Sequence, residues 1–245
     1  MAIQRESSVT YSKWPELRLA INAMISNGAY KRLADIHADM VQDPDGFAHA
    51  KHRMHGATYG PIGLRRFLPW HRAYLIMFER ELRKIDSTLS LPYWDWHNDG
   101  GRLVGFTGIL GLSSGRDLGT LPGQTPVSGR QEWFVDANTF DSFTQYTGEY
   151  YPFSRALESG PHGAGHNWIG GDMANTMISP NDFVFWLHHA QVDRYWAKWQ
   201  ENNPGEMAWL SGREARLDPW SSKFNIQNIN DVSNLGADSY EYVDP

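Results

Sequence analysis

The amino-acid sequence predicts a mainly α-helical fold, in which a four-helix bundle is surrounded by long irregular loops and minor β structure. Residues 15–41, 64–85 and 180–200 carry this prediction, because their apolar side chains recur every three to four positions, the period of one helix face. Residues 42–63 and 97–150 separate these segments, and their glycines and prolines indicate loops.

Individual glycine and proline residues mark the expected helix ends. Gly28 divides residues 15–41 into two helices, and Pro15 suits the first turn of the earlier one. In the second segment we expect the regular helix to begin at Pro69, because proline lacks the N–H that a helix interior uses.

Shorter elements complete the prediction. Residues 154–158 form a helical turn, and residues 97–150 contain at most a small hairpin. Ser179 or Asn181 would cap the last helix, since both side chains can accept a hydrogen bond from its first turn. The polar tail from Pro204 onward is expected to wrap the surface.

The composition excludes several classes of function. A net charge of −6 argues against a nucleic-acid partner, which requires a basic surface. The absence of cysteine excludes disulfides, thiolate metal sites and cysteine nucleophiles. No apolar stretch suits a membrane span, and no signal peptide is visible, so we expect a soluble protein and favour the cytoplasm. We treat residues 1–245 as a single domain.

Histidine is abundant, and several of the ten histidines cluster. His162 and His166 are four residues apart, so their imidazoles would share one helix face and could bind one metal ion. A zinc-protease motif would need glutamate after the first histidine, where this chain has Gly163. A site rich in imidazole and poor in carboxylate suits copper, with zinc or nickel as alternatives.

Several sequence runs resemble one family. Residues 67–75, FLPWHRAYL, and residues 181–194, NDFVFWLHHAQVDR, resemble the first- and second-copper signatures of tyrosinases, catechol oxidases and molluscan hemocyanins, the type 3 copper proteins. Residues 91–96, LPYWDW, are similar to a third block of that family. Between them, ESGPH at 158–162 resembles the plant enzymes, and HNWIGG at 166–171 resembles the bacterial ones.

The resemblance implies two copper ions held by six histidines on the facing helices of the bundle. Five of the ligands follow from matched motifs: His37 and His71 for the first copper, and His162, His166 and His189 for the second. The neighbouring His188 would point elsewhere, because one helix cannot easily aim two consecutive side chains at one ion.

The third ligand of the first copper is His55 or His52. The family places this ligand nine residues before His71, and that position is Ile62 here. His55 is favoured, with residues 57–63 as an inserted loop, because it precedes a glycine as in the hemocyanin-like pattern.

The resemblance implies that dioxygen oxidises o-diphenols, and possible o-aminophenol substrates, to o-quinones, with weaker ortho-hydroxylation of monophenols. Glu158 matches the family glutamate that holds a catalytic water, whereas the asparagine that usually assists it is replaced by Gly163. Asn167 is a candidate for orienting substrate, and Thr176 for a gate over the second copper. Asp193 would orient a ligand histidine or form a salt bridge with a nearby arginine, such as Arg72.

Two other functions are compatible with parts of the pattern. A hemocyanin-like oxygen carrier would use the same pair of coppers, and a zinc hydrolase would use the pair of His162 and His166. A separate copper chaperone is a possible partner of the oxidase.

Overall fold

The computed structural model describes residues 2–42, 54–99, 103, 106, 108–116 and 136–245. These residues form nine helices and two strands, in the mainly α-helical arrangement that the sequence predicts. The helices are α1 (Trp14–Ser26), α2 (Ala29–Gln42), α3 (Gly56–Ile85), α4 (Trp96–Asp99), α5 (Ala137–Thr144), α6 (Tyr150–Leu157), α7 (Gly163–Ile169), α8 (Val184–Asn202) and α9 (Ile226–Ile229). The strands are β1 (Ile3–Glu6) and β2 (Tyr240–Val243).

The break between α1 and α2 confirms the role predicted for Gly28. This residue has φ of +75°, a left-handed conformation that glycine adopts without steric cost. The Asn27 side chain then accepts a hydrogen bond of 2.9 Å from the Ala29 N–H at the start of α2. The chain therefore reverses within two residues, and α2 can pack beside α1.

Helix α3 begins much earlier than the sequence predicts. It runs without interruption from Gly56 to Ile85, so residues 56–63 are helical, and neither the loop over 42–63 nor the inserted loop over 57–63 is correct for them. The predicted start at Pro69 is also wrong, because both Pro61 and Pro69 lie inside the helix.

Neighbouring side chains make the proline in the middle of α3 tolerable. Pro69 has no N–H, so the Arg65 carbonyl four residues earlier loses its normal partner. The Tyr150 hydroxyl donates to that carbonyl at 3.1 Å. The Ser154 hydroxyl donates to the adjacent Leu64 carbonyl at 2.6 Å. Helix α6 thus supplies the donors that the α3 backbone lacks at this point.

Helix α8 begins at Val184, and its first N–H is bonded by Asp182 rather than by either predicted capping residue. The Asp182 carboxylate accepts from the Val184 N–H at 3.0 Å and is also paired with Arg116 at 2.6 Å. Residues Ser179–Asn181 instead form a short 3₁₀ turn before the helix. Most of the predicted turn at 154–158 belongs to α6, which begins earlier than expected, and Glu158 starts the helical turn that follows it.

The segment after α8 has many exposed residues, as expected of a tail that wraps the surface, but it also sends buried side chains into the core, which the sequence did not predict. Strand β2 pairs in parallel with β1, with Ile3 opposite Tyr240 and Glu6 opposite Val243. Apolar side chains spread thinly along this segment enter the core, and these include Leu217, Trp220, Phe224, Ile226 and Ile229. Isolated apolar residues in a polar stretch show no helical or strand period, so hydrophobic periodicity could not identify them as core residues.

The core lies between α3, α8 and the helices that pack on them. Within the described part of residues 97–150 there is no strand, and the rest of that range, where a hairpin was expected, lies outside the described residues. Among the described helices, none has the length and apolar composition that crossing a membrane requires. Four tryptophans, Trp70, Trp94, Trp96 and Trp186, are buried in this core.

Candidate metal centre

Three histidines from different parts of the chain form the first triad. His37 lies on α2, His71 lies on α3, and His55 is the residue immediately before α3. Their ligand nitrogens lie within 4.8 Å of one another, and all three side chains are buried. Of the two candidates for the third ligand, His55 is the one that the structure describes, and it lies beside His37 and His71. His52, the other candidate, and His49 lie outside the described residues.

The second triad combines the His162 and His166 pair with His189 on α8. His162 ends a wide helical turn over Glu158–His162, and His166 follows on α7. The ligand nitrogens of this triad also lie within 4.8 Å of one another. The spacing of four residues places both imidazoles on the same side, as the sequence predicts.

The two triads are in direct contact. The rings of His71 and His189 stack with centroids 4.2 Å apart and planes inclined by 10°. Two phenylalanines that the sequence reasoning missed pack against them: Phe67 lies 4.7 Å from His162, and Phe185 lies 4.2 Å from His189. Each precedes a triad histidine by four residues, a spacing that could have identified it as part of the same helix face.

Hydrogen bonds at Nδ1 set the orientation of several rings. His71 donates from Nδ1 to the Phe67 carbonyl at 2.8 Å, His162 to the Glu158 carbonyl at 3.0 Å, and His166 to the Met173 carbonyl at 2.7 Å. A carbonyl can only accept, so Nδ1 carries the proton in each ring and Nε2 keeps a free lone pair. These are the neutral tautomers that bind a metal through Nε2.

The residues present fit a pair of metal ions. The buried Nε2 atoms of His55, His71 and His162 have no hydrogen-bond partner within the described part of the chain. The Nε2 atoms of His166 and His189 face each other at 3.3 Å. A buried polar atom without a partner is costly, and a shared metal ion would satisfy these nitrogens.

Burial favours the neutral form of five of the triad imidazoles. It lowers the pKa of His37, His71, His162 and His189 well below 6.5, and neighbouring histidines lower each further. The pKa of His166 falls to about 4, again mainly through burial. Neutral imidazoles are available to a metal without first losing a proton. A set of six imidazole nitrogens without thiolate suits copper.

His188 points away from the triads, as predicted. Its Nε2 lies 3.0 Å from the His162 carbonyl oxygen, and its ring packs 5.1 Å from that of Trp96. Gly165 provides the space, because a Cβ there would lie 2.2 Å from the His188 ring. His188 therefore supports the backbone that carries His162.

Glu158 lies beside the first triad as well as the second. Its carboxylate Oε1 is 3.3 Å from His55 Nδ1, and its side chain is 6% exposed. Its backbone carbonyl holds the His162 ring, as described above. One residue thus contacts a histidine from each triad, and the contact with His55 was not expected from the sequence.

A cavity of about 480 Å³ leads from the protein surface to the histidines. Its inner wall contains members of both triads, and its outer part contains the exposed Asn167 and Thr176. Gly163 and Glu158 also line it. The structure thus places five of the six triad histidines around one space large enough for a small aromatic molecule, together with Glu158, Gly163, Asn167 and Thr176.

Comparison with known proteins identifies the family. The common central domain of tyrosinase matches residues 27–117 and 115–202, which is well over half of the chain. The chain belongs to the tyrosinase family of type 3 copper proteins. A tyrosinase of Streptomyces glaucescens is 31% identical over 240 residues, covering 82% of this chain and 83% of that protein. Grixazone synthase of Streptomyces griseus is 31% identical over 230 residues, covering 64% and 74%.

Solved structures of the tyrosinase family share the fold. Polyphenol oxidase from Grenache grapes has a TM-score of 0.67 and 21% identity, covering all of this chain and 85% of that one. A functional unit of octopus hemocyanin has a TM-score of 0.71 and 21% identity, covering 98% and 68%. The chain is thus a copper-dependent enzyme of the polyphenol oxidase type, and its cofactor is a pair of copper ions. Phenols and dioxygen are the substrates of this family.

Proposed function

We propose that this tyrosinase-family chain oxidises o-diphenols, and o-aminophenols, to o-quinones or quinone imines, with weaker ortho-hydroxylation of monophenols. The first copper would be held by His37, His55 and His71, and the second by His162, His166 and His189. The observation that carries the preference for diphenols is Gly163, which stands on the cavity wall directly after His162.

The copper ions and the residues around the cavity would have different roles in this reaction. The copper pair, when bound, supplies the site where dioxygen takes electrons from the substrate. The Glu158 carboxylate holds the His55 ring through Nδ1, and it is the carboxylate at the cavity wall able to accept a phenolic proton directly or through a water. Asn167, whose amide can donate to a substrate oxygen, orients the ring from the outer part of the cavity.

Gly163 explains why hydroxylation would be the weaker activity. A monophenol must lose its proton before it is hydroxylated, and an amide side chain beside Glu158 would hold the water that takes this proton. Glycine has no such group. Space is available for one, because a Cβ at Gly163 would lie 3.6 Å from its nearest neighbour, the Glu158 carbonyl oxygen.

The test is a comparison of initial rates for the copper-loaded protein with L-DOPA and with tyrosine. We expect L-DOPA to be oxidised much faster, and oxygen uptake with catechol or 2-aminophenol to be rapid. The Gly163→Asn variant should raise the ratio of tyrosine to L-DOPA turnover about tenfold, whereas Gly163→Ala should leave it unchanged.

Equal rates on the two substrates in the unmodified protein would contradict the proposal. Absence of oxygen uptake with every phenol, together with reversible oxygen binding, would instead indicate the hemocyanin-like carrier. The cavity supports the enzyme, because exposed side chains lead from the surface to both triads. A copper chaperone remains a proposed partner, testable by measuring whether the purified chain takes up both coppers unaided.

A further inference from the structure

One positively charged side chain stands at the outer part of the cavity. Arg155 lies on α6, three residues before Glu158, four before Ser159 and seven before His162. Arg155, Glu158 and Ser159 follow the spacing of one helix face. All three line the cavity together with His162, which follows a kink at Gly160. Arg155 and Glu158 are separated by about 4.5 Å along the helix axis, given a rise of 1.5 Å per residue.

Burial shows which end of this row faces the solvent. Arg155 and Ser159 are exposed, whereas Glu158 and His162 are buried beside the triads. A substrate whose hydroxyl groups reach the histidines would therefore have its opposite end near Arg155. This guanidinium stands where a ring substituent would leave the cavity.

The charges of the cavity wall favour an anion at that end. Among the described residues that line the cavity, Arg155 is the only lysine or arginine and Glu158 is the only carboxylate. Glu158 is turned towards His55 Nδ1. No carboxylate of the described residues forms a salt bridge with Arg155, so its fork of N–H donors is available to a ligand.

We propose that Arg155 binds a carboxylate carried by the substrate, so that the preferred substrates are catechols and o-aminophenols with a short acidic side chain. This inference rests on the proposed function for the identity of the reacting ring. A guanidinium and a carboxylate form two parallel hydrogen bonds, which would fix the direction of the ring as well as attract it. Arg155 is thus a specificity-determining residue, distant from the reacting atoms.

The experiment uses two substrates with the same reacting ring: 3-(3,4-dihydroxyphenyl)propanoate and its methyl ester. We expect Arg155→Gln to lower kcat/KM for the acid about fivefold relative to the ester, the effect of losing one partly exposed charged contact. The loss should appear mainly in KM and should shrink at high salt, which screens exposed charges. Dopamine carries the same ring with a positively charged side chain. Arg155→Glu should therefore make dopamine a better substrate than the acid.

The matched control is Arg65→Gln, which removes the same charge from an exposed position on α3 outside the cavity lining. Its ratio of acid to ester should equal that of the unmodified chain. An equal change for acid and ester in Arg155→Gln would overturn the proposal, and so would an equal effect in Arg65→Gln.

A binding measurement separates this inference from the proposed oxidation. The Kd of 3-phenylpropanoate, which cannot be oxidised as a catechol, is measured by calorimetry against that of its amide. We expect Arg155→Gln to weaken only the acid, by about fivefold. If no catechol is oxidised but this difference is found, the proposed function fails while the carboxylate site stands. If the difference is absent, the carboxylate site fails whatever the activity.

Discussion

At the scale of single residues, hydrogen bonds away from the metal side of the imidazoles do most of the positioning. Three rings are held at Nδ1 by backbone carbonyls of their own helical turn or a nearby loop. His55 differs, because its Nδ1 faces the Glu158 carboxylate. A carboxylate in this position makes the imidazole a stronger ligand and fixes its direction. The role of His55 therefore depends on a residue 103 positions away.

Copper stoichiometry distinguishes the two candidates for the sixth ligand. We expect His55→Gln to reduce bound copper from two ions per chain to one, because the first triad loses a nitrogen donor. The control is His52→Gln, which should retain two ions. Copper is measured by elemental analysis after dialysis. The opposite pattern, with copper lost only in His52→Gln, would show that the triad of His37, His55 and His71 is not the ligand set.

At the scale of elements, α3 is a long helix that depends on α6. Its 30 residues include two prolines, and each removes one backbone donor. Tyr150 and Ser154, four residues apart on α6, donate to carbonyls of α3 beside Pro69. The same helix carries Arg155 and leads into the turn that holds Glu158. The packing of α6 on α3 thus places the turn that carries Glu158 and His162 next to the helix that carries His71.

A double-mutant cycle tests this dependence. Tyr150→Phe should lower the free energy of unfolding by about 1 kcal/mol, because the Arg65 carbonyl loses its donor. In a Pro69→Ala background the cost of Tyr150→Phe should be smaller, since the restored N–H can bond that carbonyl. Tyr146→Phe, at an exposed tyrosine, serves as the control. Equal costs of Tyr150→Phe in both backgrounds, measured by urea unfolding, would contradict the account.

At the scale of the whole molecule, one buried carboxylate joins both ends of the described chain to the helical bundle. Asp193 on α8 accepts from Arg72 Nε at 2.6 Å, from Arg5 at 3.4 Å and from the Tyr242 hydroxyl at 2.7 Å. The Tyr240 hydroxyl donates to it as well. Of the two roles considered for Asp193, the salt bridge with Arg72 is the one observed, and its described contacts include no histidine of either triad. Asp193 thus holds β1, β2 and α3 on α8.

Loss of this charge should be costly to stability. We expect Asp193→Asn to lower the free energy of unfolding by about 3–5 kcal/mol, because the buried Arg72 and Arg5 lose a counter-charge. Asp35→Asn is the matched control: it breaks an exposed pair with Lys31 and should cost less than about 0.5 kcal/mol. Both values come from urea unfolding of the copper-loaded protein. A loss below about 1 kcal/mol in Asp193→Asn would show that the network contributes little.

Local patterns were sufficient for much of the fold and of the metal centre. The break at Gly28 could be predicted because left-handed backbone is a property of the residue itself. The pair of His162 and His166 could be predicted because four residues return to the same helix face. The resemblance of the longer motifs supplied His37, His71 and His189. Each of these inferences depends on neighbours in sequence or on matched runs of residues.

Only the tertiary structure decided the features that depend on distant partners. Pro61 and Pro69 predict a break in α3. Near Pro69 the helix continues, because hydroxyl groups on α6 donate hydrogen bonds to the α3 carbonyls there. Because residues 56–63 are therefore helical, His55 stands at the start of α3 beside His37 and His71. The contact of Glu158 with His55 and the place of Arg155 at the cavity likewise arise from packing. The sequence by itself thus determined the family, the copper pair and five of the six triad histidines, and the packing of distant segments, including side-chain hydrogen bonds from α6 to the α3 backbone, decided how His55 joins them.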